Sequence, residues 1–301
     1  MTRRLVVVAD DAGLDPVRDA AILRAHDVGL VTAASLVANG ATLEAFVAAA
    51  RARPRLSLGL HVNLTEGRPL ALTRGFTLTG PGGAFLGDKQ ALWRRAIEAQ
   101  VDAVEVEREV VAQWRQLEAL GVTPDHVNGH QHVHVLPALS DGVLAALAAV
   151  RARVAVRVPA EDDPPAGVPP VRLPAIPVGT AVFPPRRLAQ LRAGHGGVAG
   201  LGVHADRFRR RVVAPLVATE GFLGLALGAA PRLDVLVESL RRVAGATVEW
   251  MTHPGAMPGR PGTYGGDAAR DEELALLTHP AARAAVEAAG FALASFRDLL
   301  A

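Results

Sequence analysis

The sequence contains no cysteine and a single lysine, Lys89, among its 301 residues. The absence of cysteine excludes disulfides, thiol nucleophiles and zinc–thiolate sites. Histidine, aspartate and glutamate therefore remain as the side chains able to bind a metal ion. Aromatic residues make up only 4% of the chain, which leaves few surfaces on which nucleic-acid bases could stack.

The charges nearly cancel, with 32 basic and 30 acidic residues, so the pI of 9.8 reflects the use of arginine in place of lysine. Arginines and carboxylates alternate on the predicted helices, and we expect no nucleic-acid partner. The most apolar stretch, 221–230, is too short to cross a bilayer, and the apolar run near the start ends in two aspartates. We therefore expect a cytoplasmic globular protein with neither a membrane span nor a signal peptide.

Short β-branched apolar runs alternate with longer stretches that have helical periodicity. The predicted strands cover 5–9, 32–38, 56–64, 126–130, 154–158, 222–227, 247–252 and 291–294. The predicted helices cover 16–28, 42–53, 89–120, 136–151, 207–219, 231–244 and 271–289, the last interrupted near His279. This alternation predicts an α/β protein: one catalytic domain over 1–301, built as an irregular (β/α) barrel of seven or eight mostly parallel strands. Closely spaced prolines predict a Pro/Gly-rich insertion at about 162–200.

Polar residues cluster at the carboxyl ends of the predicted strands, which share one face of a parallel barrel. They are Asp10, Asp11, His61, Asn63, His126, His130, His132, His134, Arg157, Glu161, Glu249 and His253. Because alternate residues of an extended strand point the same way, His130, His132 and His134 are predicted to project towards one side. With Asp11 and His61 at other strand ends, this pattern favours a metal site over a polar loop with surface histidines.

A divalent metal needs a set of histidine and carboxylate ligands with one open position for water. We predict Asp11, His61 and His130 as these ligands. His130 is preferred because it comes first, where the strand should still be regular. A longer strand would place His132 or His134 there instead.

Adjacent carboxylates cannot both face one point from a regular strand, so Asp10 is expected to have a separate duty unless the chain turns there. We predict that it is the general base, the alternatives being a helix cap or a partner that orients a ligand histidine. His253 is the candidate general acid. Five further residues are expected to bind substrate or to orient the ligands: Asn63, His132, His134, Arg157 and Glu161. Arg157 is expected to bind either Asp10 or the substrate. For Glu161, the simpler alternative is an ion pair with Arg157.

Five sequence blocks occur in a characteristic order: VVADDAGLDPVRDAAILRAHDVGLVTAASLVAN, LGLHVNLTEGRPL, DHVNGHQHVH, VRVPAE, and THPG followed by Arg270, Glu273 and Leu274. Together they resemble the YdjC-like carbohydrate deacetylases, also called the ChbG/HpnK family. The resemblance implies a barrel-like fold related to NodB-type polysaccharide deacetylases. It also implies one divalent metal ion, magnesium or zinc, and a small acetylated sugar as substrate.

Transferred to this sequence, the resemblance implies the ligands Asp11, His61 and His130, with Asp10 as base and His253 in the late histidine block. We predict a reaction in which the metal and Asp10 deprotonate a bound water, this water attacks the acetyl amide, and His253 protonates the departing amine. The sequence departs from many relatives where they carry Asp-Ser-His-His-His-x-His and a Phe after the first aspartates. Here those positions hold Asn128, Gly129, Gln131 and Ala12.

Two other functions remain open from the sequence. One is a metal-dependent phosphoesterase or amidohydrolase on a barrel, which usually holds two metals and begins with His-x-His on the first strand. The other is a barrel that binds sugar without catalysis. A homo-oligomer is possible, with the segment 162–187 as a lid or an interface.

Overall fold

The computed structural model describes residues 2–71, 77–162, 165, 168, 178, 184–192, 196–255 and 268–301. Within these ranges the strands are β1 (Arg3–Ala12), β2 (Ala33–Leu36), β3 (Ser57–Val62), β4 (His126–Gly129), β5 (Ala155–Val156), β6 (Gly221–Leu223), β7 (Thr247–Thr252) and β8 (Phe291–Leu293). The helices are α1 (Pro16–Asp27), α2 (Leu43–Ala50), α3 (Lys89–Ile97), α4 (Ala103–Ala119), α5 (Leu139–Ala149), α6 (Pro185–Arg192), α7 (Gly196–Arg209), α8 (Leu225–Ala229), α9 (Leu233–Arg242), α10 (Ala269–Thr278), α11 (Pro280–Ala288) and α12 (Phe296–Leu300).

The strands form one parallel sheet that curls into an incomplete barrel. Their order is β5-β4-β3-β2-β1-β7-β6, and β8 pairs with the first part of β1. Near the two edges, the Val156 amide donates to the Val217 carbonyl at 2.7 Å, and the Val217 amide donates to Val154 at 3.1 Å. These bonds join β5 to the segment that precedes β6. The predicted irregular, mostly parallel (β/α) barrel is confirmed.

The two faces of the sheet bury different material. A large core of leucine, valine and phenylalanine lies between the sheet and its helices. A second, small cluster inside the curl includes Val6, Val8, Ala33 and Phe296. Because alternate residues of a strand face the same side, a β1 that directs Val6 and Val8 inward also directs Asp10 inward. The apolar interior thus gives way to charge at the carboxyl ends of the strands.

One long predicted helix, 89–120, is two helices, α3 and α4, so that prediction was wrong. The chain leaves α3 with Ala99 at a φ of 55°. It starts α4 at Asp102, whose side chain accepts a hydrogen bond from the Val104 amide. An aspartate that satisfies a free amide at a helix start stabilises a new beginning there. The apolar periodicity on both sides of this cap hid the break.

The region around α7 also differs from the prediction. Helix α7 ends at Arg209, so the predicted helix over 207–219 was wrong, and that segment contains Pro215, which cannot donate a helical hydrogen bond. A glycine in the middle of α7 permits close packing against α6. A Cβ at Gly202 would lie 2.4 Å from the guanidinium of the buried Arg187.

The predicted strand over 222–227 was wrong in its second half. β6 ends at Leu223, and Gly224, with a φ of 138°, turns the chain into α8. A residue with a side chain rarely adopts that backbone conformation, so glycine permits the turn.

The predicted insertion at about 162–200 lies largely outside the described residues. Its described parts include α6 and the beginning of α7. In the described part of the chain, no helix combines the length and apolar character needed to cross a membrane.

Candidate metal centre

The end of β1 turns sharply and places both of its aspartates at the centre of the barrel mouth. The pairing of β1 with β2 shifts register between Ala9 and Ala12, and Asp11 has a φ of 70°. This left-handed conformation costs a residue with a side chain about 1–2 kcal/mol. It reorients Asp11 relative to the regular strand. Asp10 and Asp11 can therefore serve one site from adjacent positions.

The histidine-rich block is a turn rather than a continued strand. β4 stops at Gly129, and His130–Val135 form a 3-10 turn in which Gln131 and His132 have φ values of 56° and 58°. A Cβ at Gly129 would lie 2.6 Å from Nδ1 of His134, so the chain folds back tightly on this glycine. The prediction that three alternate histidines project to one side was wrong. Of these histidines, His130 is the one that meets Asp11 and His61.

Asp11, His61 and His130 form a buried cluster whose ligand atoms all lie within 4.8 Å of one another. Oδ1 of Asp11 is 2.9 Å from Nδ1 of His130 and 3.4 Å from Nε2 of His61. The two ring nitrogens are 3.3 Å apart. Oδ1 nevertheless has no contact with the angles of a hydrogen bond. A cation bound at about 2.1 Å holds neighbouring ligand atoms about 3.0–3.4 Å apart, so this donor set fits one divalent ion.

The other oxygen of Asp11 is turned towards arginines. Oδ2 accepts a hydrogen bond from Nη2 of Arg270 at 3.1 Å and lies 3.6 Å from Nη1 of Arg18. These contacts orient the carboxylate and leave Oδ1 facing the two histidines. The sequence analysis missed Arg18, although it lies in the first turn of α1, seven residues after Asp11.

Each ligand histidine is held by the ring nitrogen that points away from the cluster. Nδ1 of His61 donates to Oδ1 of Asn128 at 2.5 Å. Nε2 of His130 lies 3.4 Å from Oε1 of Glu66. Such outer contacts select the tautomer that presents the free nitrogen to a metal. Neither role was predicted; the only signals were their places in the LTEG and VNGH stretches.

Charge is concentrated in this cluster. Burial raises the pKa of Asp11, but His130 and Arg270 lower it more, and the pKa ends well below its usual range. Burial lowers the pKa of His130, but Asp11 raises it more, to about 9. In the absence of a cation the pair is therefore a carboxylate beside an imidazolium.

Asp10 is part of a separate buried ion-pair network. Two guanidinium nitrogens of Arg157 donate to the two oxygens of Asp10. Nε of Arg157 donates to Oε1 of Glu249 at 2.5 Å. Asn128 donates to Oδ1 of Asp10 at 3.0 Å. Burial raises the pKa of Asp10, but Arg157 lowers it more, so the carboxyl stays ionised. Of the two predicted roles of Arg157, the structure shows the contact with Asp10.

His253 lies on the other side of Asp10, with its Nε2 3.7 Å from Oδ2 of the carboxylate. Its backbone amide donates to Oε2 of Glu273 at 2.7 Å, which anchors the end of β7. Burial and Arg270 lower the pKa of His253 to about 3. The ring is therefore neutral at physiological pH in this state.

Asn63 stabilises the loop that carries Glu66. Its side-chain oxygen accepts hydrogen bonds from the amides of Thr65 and Glu66, both at 3.1 Å. Its amide donates to Asn39 at 2.9 Å. Asn63 therefore acts on the site through this loop.

His132 and His134 lie outside the metal cluster. Nε2 of His134 donates to the carbonyl of Arg157 at 3.0 Å, and the ring of His132 packs edge-on against Phe222. Burial lowers the pKa of His134 to about 3. Both rings are neutral and stabilise the turn and its neighbours.

Glu161 does not pair with Arg157, so that alternative was wrong. Its carboxylate accepts hydrogen bonds from the amides of Leu225 at 2.5 Å and Ala226 at 3.2 Å, at the start of α8. Burial raises its pKa to about 7. Glu161 follows Arg157 by four positions, which suggested the pairing, but the chain there forms neither helix nor strand.

Comparison with solved structures supports the fold. A protein from Enterococcus faecalis V583, provisionally named for cellobiose-phosphate cleavage, superposes with a TM-score of 0.72 and 20% identity over 99% of both chains. At that identity the likeness shows a shared fold.

Comparison with curated sequences reaches further. A human carbohydrate deacetylase is 35% identical over 98% of this chain and 91% of its own length. The mouse carbohydrate deacetylase is also 35% identical, over 98% of this chain and 94% of its own length. The family described as YdjC-like protein matches residues 4–288. On this match and these relatives, the chain belongs to the YdjC-like family.

Proposed function

We propose that this chain is a carbohydrate deacetylase that hydrolyses the acetyl amide of an N-acetylated amino sugar or oligosaccharide. The observation that carries the proposal is the pairing of a buried Asp11–His61–His130 cluster with a separately ionised Asp10. The relatives named carbohydrate deacetylase support the same hydrolase class. The geometry of the site and the names of the relatives both agree with the function predicted from the sequence.

The cluster of Asp11, His61 and His130 would hold one divalent cation, because its donors are nitrogen and oxygen and Oδ1 of Asp11 faces both ring nitrogens without a hydrogen bond. When bound, such a cation supplies a Lewis acid that polarises the acetyl carbonyl and makes a neighbouring water more acidic. Magnesium and zinc remain the predicted ions, since this donor set suits several metals.

Asp10 takes the proton of the attacking water. Arg157 keeps this carboxylate ionised and oriented, and a lone pair beyond the three that accept from Arg157 and Asn128 would take the proton as the new C–O bond forms. Glu249 binds the same guanidinium and limits its movement. Asp10 therefore acts as the general base from a fixed position.

His253 returns the proton to the leaving nitrogen. Since its ring is neutral and Nε2 lies 3.7 Å from Oδ2 of Asp10, it can receive the proton that Asp10 has taken from water. Donation of that proton to the amide nitrogen accompanies cleavage of the C–N bond. The products are acetate and the free amine of the sugar.

The direct test is a screen for acetate release from N-acetylglucosamine and chito-oligosaccharides. Metal-stripped protein should be inactive, and reloading with magnesium or zinc should restore acetate release. Asp10→Asn is the matched control, because it should bind the cation without turnover. Absence of acetate from every N-acetyl sugar with the cation bound would contradict the proposal.

The number of cations separates this function from the two-metal hydrolases. Among the described residues, a single group of histidine and carboxylate side chains has ligand spacing, which favours one ion per chain. The sugar-binding relative without catalysis is distinguished by saturable binding without acetate release. Cytoplasmic location, self-association and the absence of a nucleic-acid partner remain predictions.

A further inference from the structure

The turn that carries Asp11 is held by residues outside the ligand set. Oδ1 of Asp19, on α1, accepts a hydrogen bond from the Gly13 amide at 2.7 Å. Oδ2 of the same carboxylate accepts the hydroxyl of Thr42 at 2.6 Å. The amide of Thr42 donates to the carbonyl of Gly13 at 2.9 Å. Both polar groups of Gly13, two residues after Asp11, are therefore bound by one Asp19–Thr42 clamp.

The packing around this clamp leaves the turn little freedom. Gly13 has a φ of 87°, and a Cβ there would lie 3.0 Å from Cα of Leu43. A Cβ at Gly40 would lie 2.2 Å from the Gly13 carbonyl oxygen. Asp19 itself is buried. Two loops and one helix thus meet at the residue that ends the turn.

Asp19 and Thr42 both lie near the start of a helix, where such side chains commonly accept hydrogen bonds from free helix amides, but neither does so here. Thr42 precedes α2, a place where threonine commonly accepts a helical amide, yet its side chain makes no such bond. Asp19 lies in the first turn of α1, but Asp15 already accepts the free amides there. The Asp19 carboxylate instead accepts the Gly13 amide of the Asp11 turn, and the Thr42 hydroxyl donates to that carboxylate.

We propose that Asp19 and Thr42 are positioning residues for Asp11. By binding both polar groups of Gly13, they keep Asp11 in its left-handed conformation, with Oδ1 towards His61 and His130. Without the clamp the strand end relaxes towards extended backbone, which moves the carboxylate away from the two imidazoles. The inference rests on the proposed function, since it assumes that this cluster holds the cation.

The test measures the affinity for zinc and for manganese alone by isothermal titration calorimetry. Asp19→Ala should weaken binding about 10- to 100-fold, the usual effect of removing an outer partner of a metal site. Asp19→Asn should bind like the wild type, because its oxygen still accepts from Gly13 and its amide can donate to the Thr42 hydroxyl. Thr42→Val removes the hydroxyl that orients Asp19 and should weaken binding about tenfold.

Asp27→Asn is the matched control on the same helix, since Asp27 is exposed and pairs with Arg53. Circular dichroism and thermal melting of each variant separate weaker binding from loss of fold. Should Asp19→Ala not fold, Thr42→Val and Asp19→Asn decide the question.

Wild-type affinity in folded Asp19→Ala, or in Thr42→Val where Asp19→Ala does not fold, would overturn the inference. Equal weakening in Asp19→Asn would also overturn it, because charge rather than the two hydrogen bonds would then be responsible. Acetate release by the wild type is measured separately, so an inactive protein that binds the cation contradicts the proposed function alone.

Discussion

The two aspartates that end β1 are neighbours in sequence, yet they are held in opposite ways. Both oxygens of Asp10 are hydrogen-bonded, chiefly to Arg157, whereas Oδ1 of Asp11 faces two imidazole nitrogens without a hydrogen bond. A carboxylate whose two oxygens are both hydrogen-bonded keeps its charge and its orientation. A carboxylate oxygen that makes no hydrogen bond and lies beside ring nitrogens is arranged to bind a cation. One turn in the backbone thus separates the proposed general base from the proposed metal ligand.

The largest effects are expected from replacing each aspartate by asparagine. Asp10→Asn and Asp11→Asn should both reduce acetate release about 10²- to 10⁴-fold or more, because each removes a group on which the reaction depends. Only Asp11→Asn should also lose cation binding, as measured by calorimetry. Loss of cation binding in Asp10→Asn would show that the Asp10 network and the Asp11–His61–His130 cluster do not act separately.

Replacement of Arg157 should disrupt the Asp10 ion-pair network without affecting the Asp11–His61–His130 cluster. Arg157→Met leaves two buried carboxylates, Asp10 and Glu249, without the guanidinium that binds both of them. Breaking such a pair typically costs 3–5 kcal/mol, so urea denaturation should show a loss of about this size together with reduced activity. The double replacement Arg157→Met with Glu249→Leu should recover part of the stability but not the activity.

Asn128 contacts both sides, through His61 and through Asp10. Asn128→Leu should therefore weaken zinc affinity about 10- to 100-fold and also lower turnover when the cation is saturating. Ser35→Ala removes a hydroxyl that accepts a hydrogen bond from Nδ2 of Asn128 and contacts His126, and it should have the smaller effect. Unchanged zinc affinity in Asn128→Leu would remove Asn128 from the account.

The grouping of Asp11, His61 and His130 could be predicted from the sequence because all three lie at the ends of strands. Strand and helix alternation places Asp11 and His61 on one face of any parallel barrel. The two backbone turns could not be predicted. Residues such as Asp11 and His132 adopt a positive φ, a conformation that depends on the surrounding structure and that the hydrophobic pattern of the sequence does not indicate. The same limit explains why the Asp10 partner Arg157 was predicted as one of two possibilities.

The smallest effect on catalysis is expected at Glu161, which lies outside both sides of the site. Its folded pKa of about 7 lies above the usual value of 4.5. The folded state then binds more protons than the unfolded state between these values, so stability falls as pH rises through this window and levels off above it.

Glu161→Gln should lack this contribution, at most about 3 kcal/mol, and flatten the stability curve between pH 4.5 and 7. Part of the slope should persist, because the pKa of Glu273 is also raised to about 7 by burial. Urea denaturation across this pH range is the measurement, with acetate release at neutral pH expected to stay near the wild-type rate. An unaltered slope would contradict the assignment.

The most direct test of the metal centre is the number of zinc ions bound per chain, measured by equilibrium dialysis with elemental analysis. The geometry predicts one ion in the wild type and in His132→Ala, and none in His61→Ala or His130→Ala. A wild type that binds no ion or two, or a His130→Ala variant that still binds one as tightly, would contradict it.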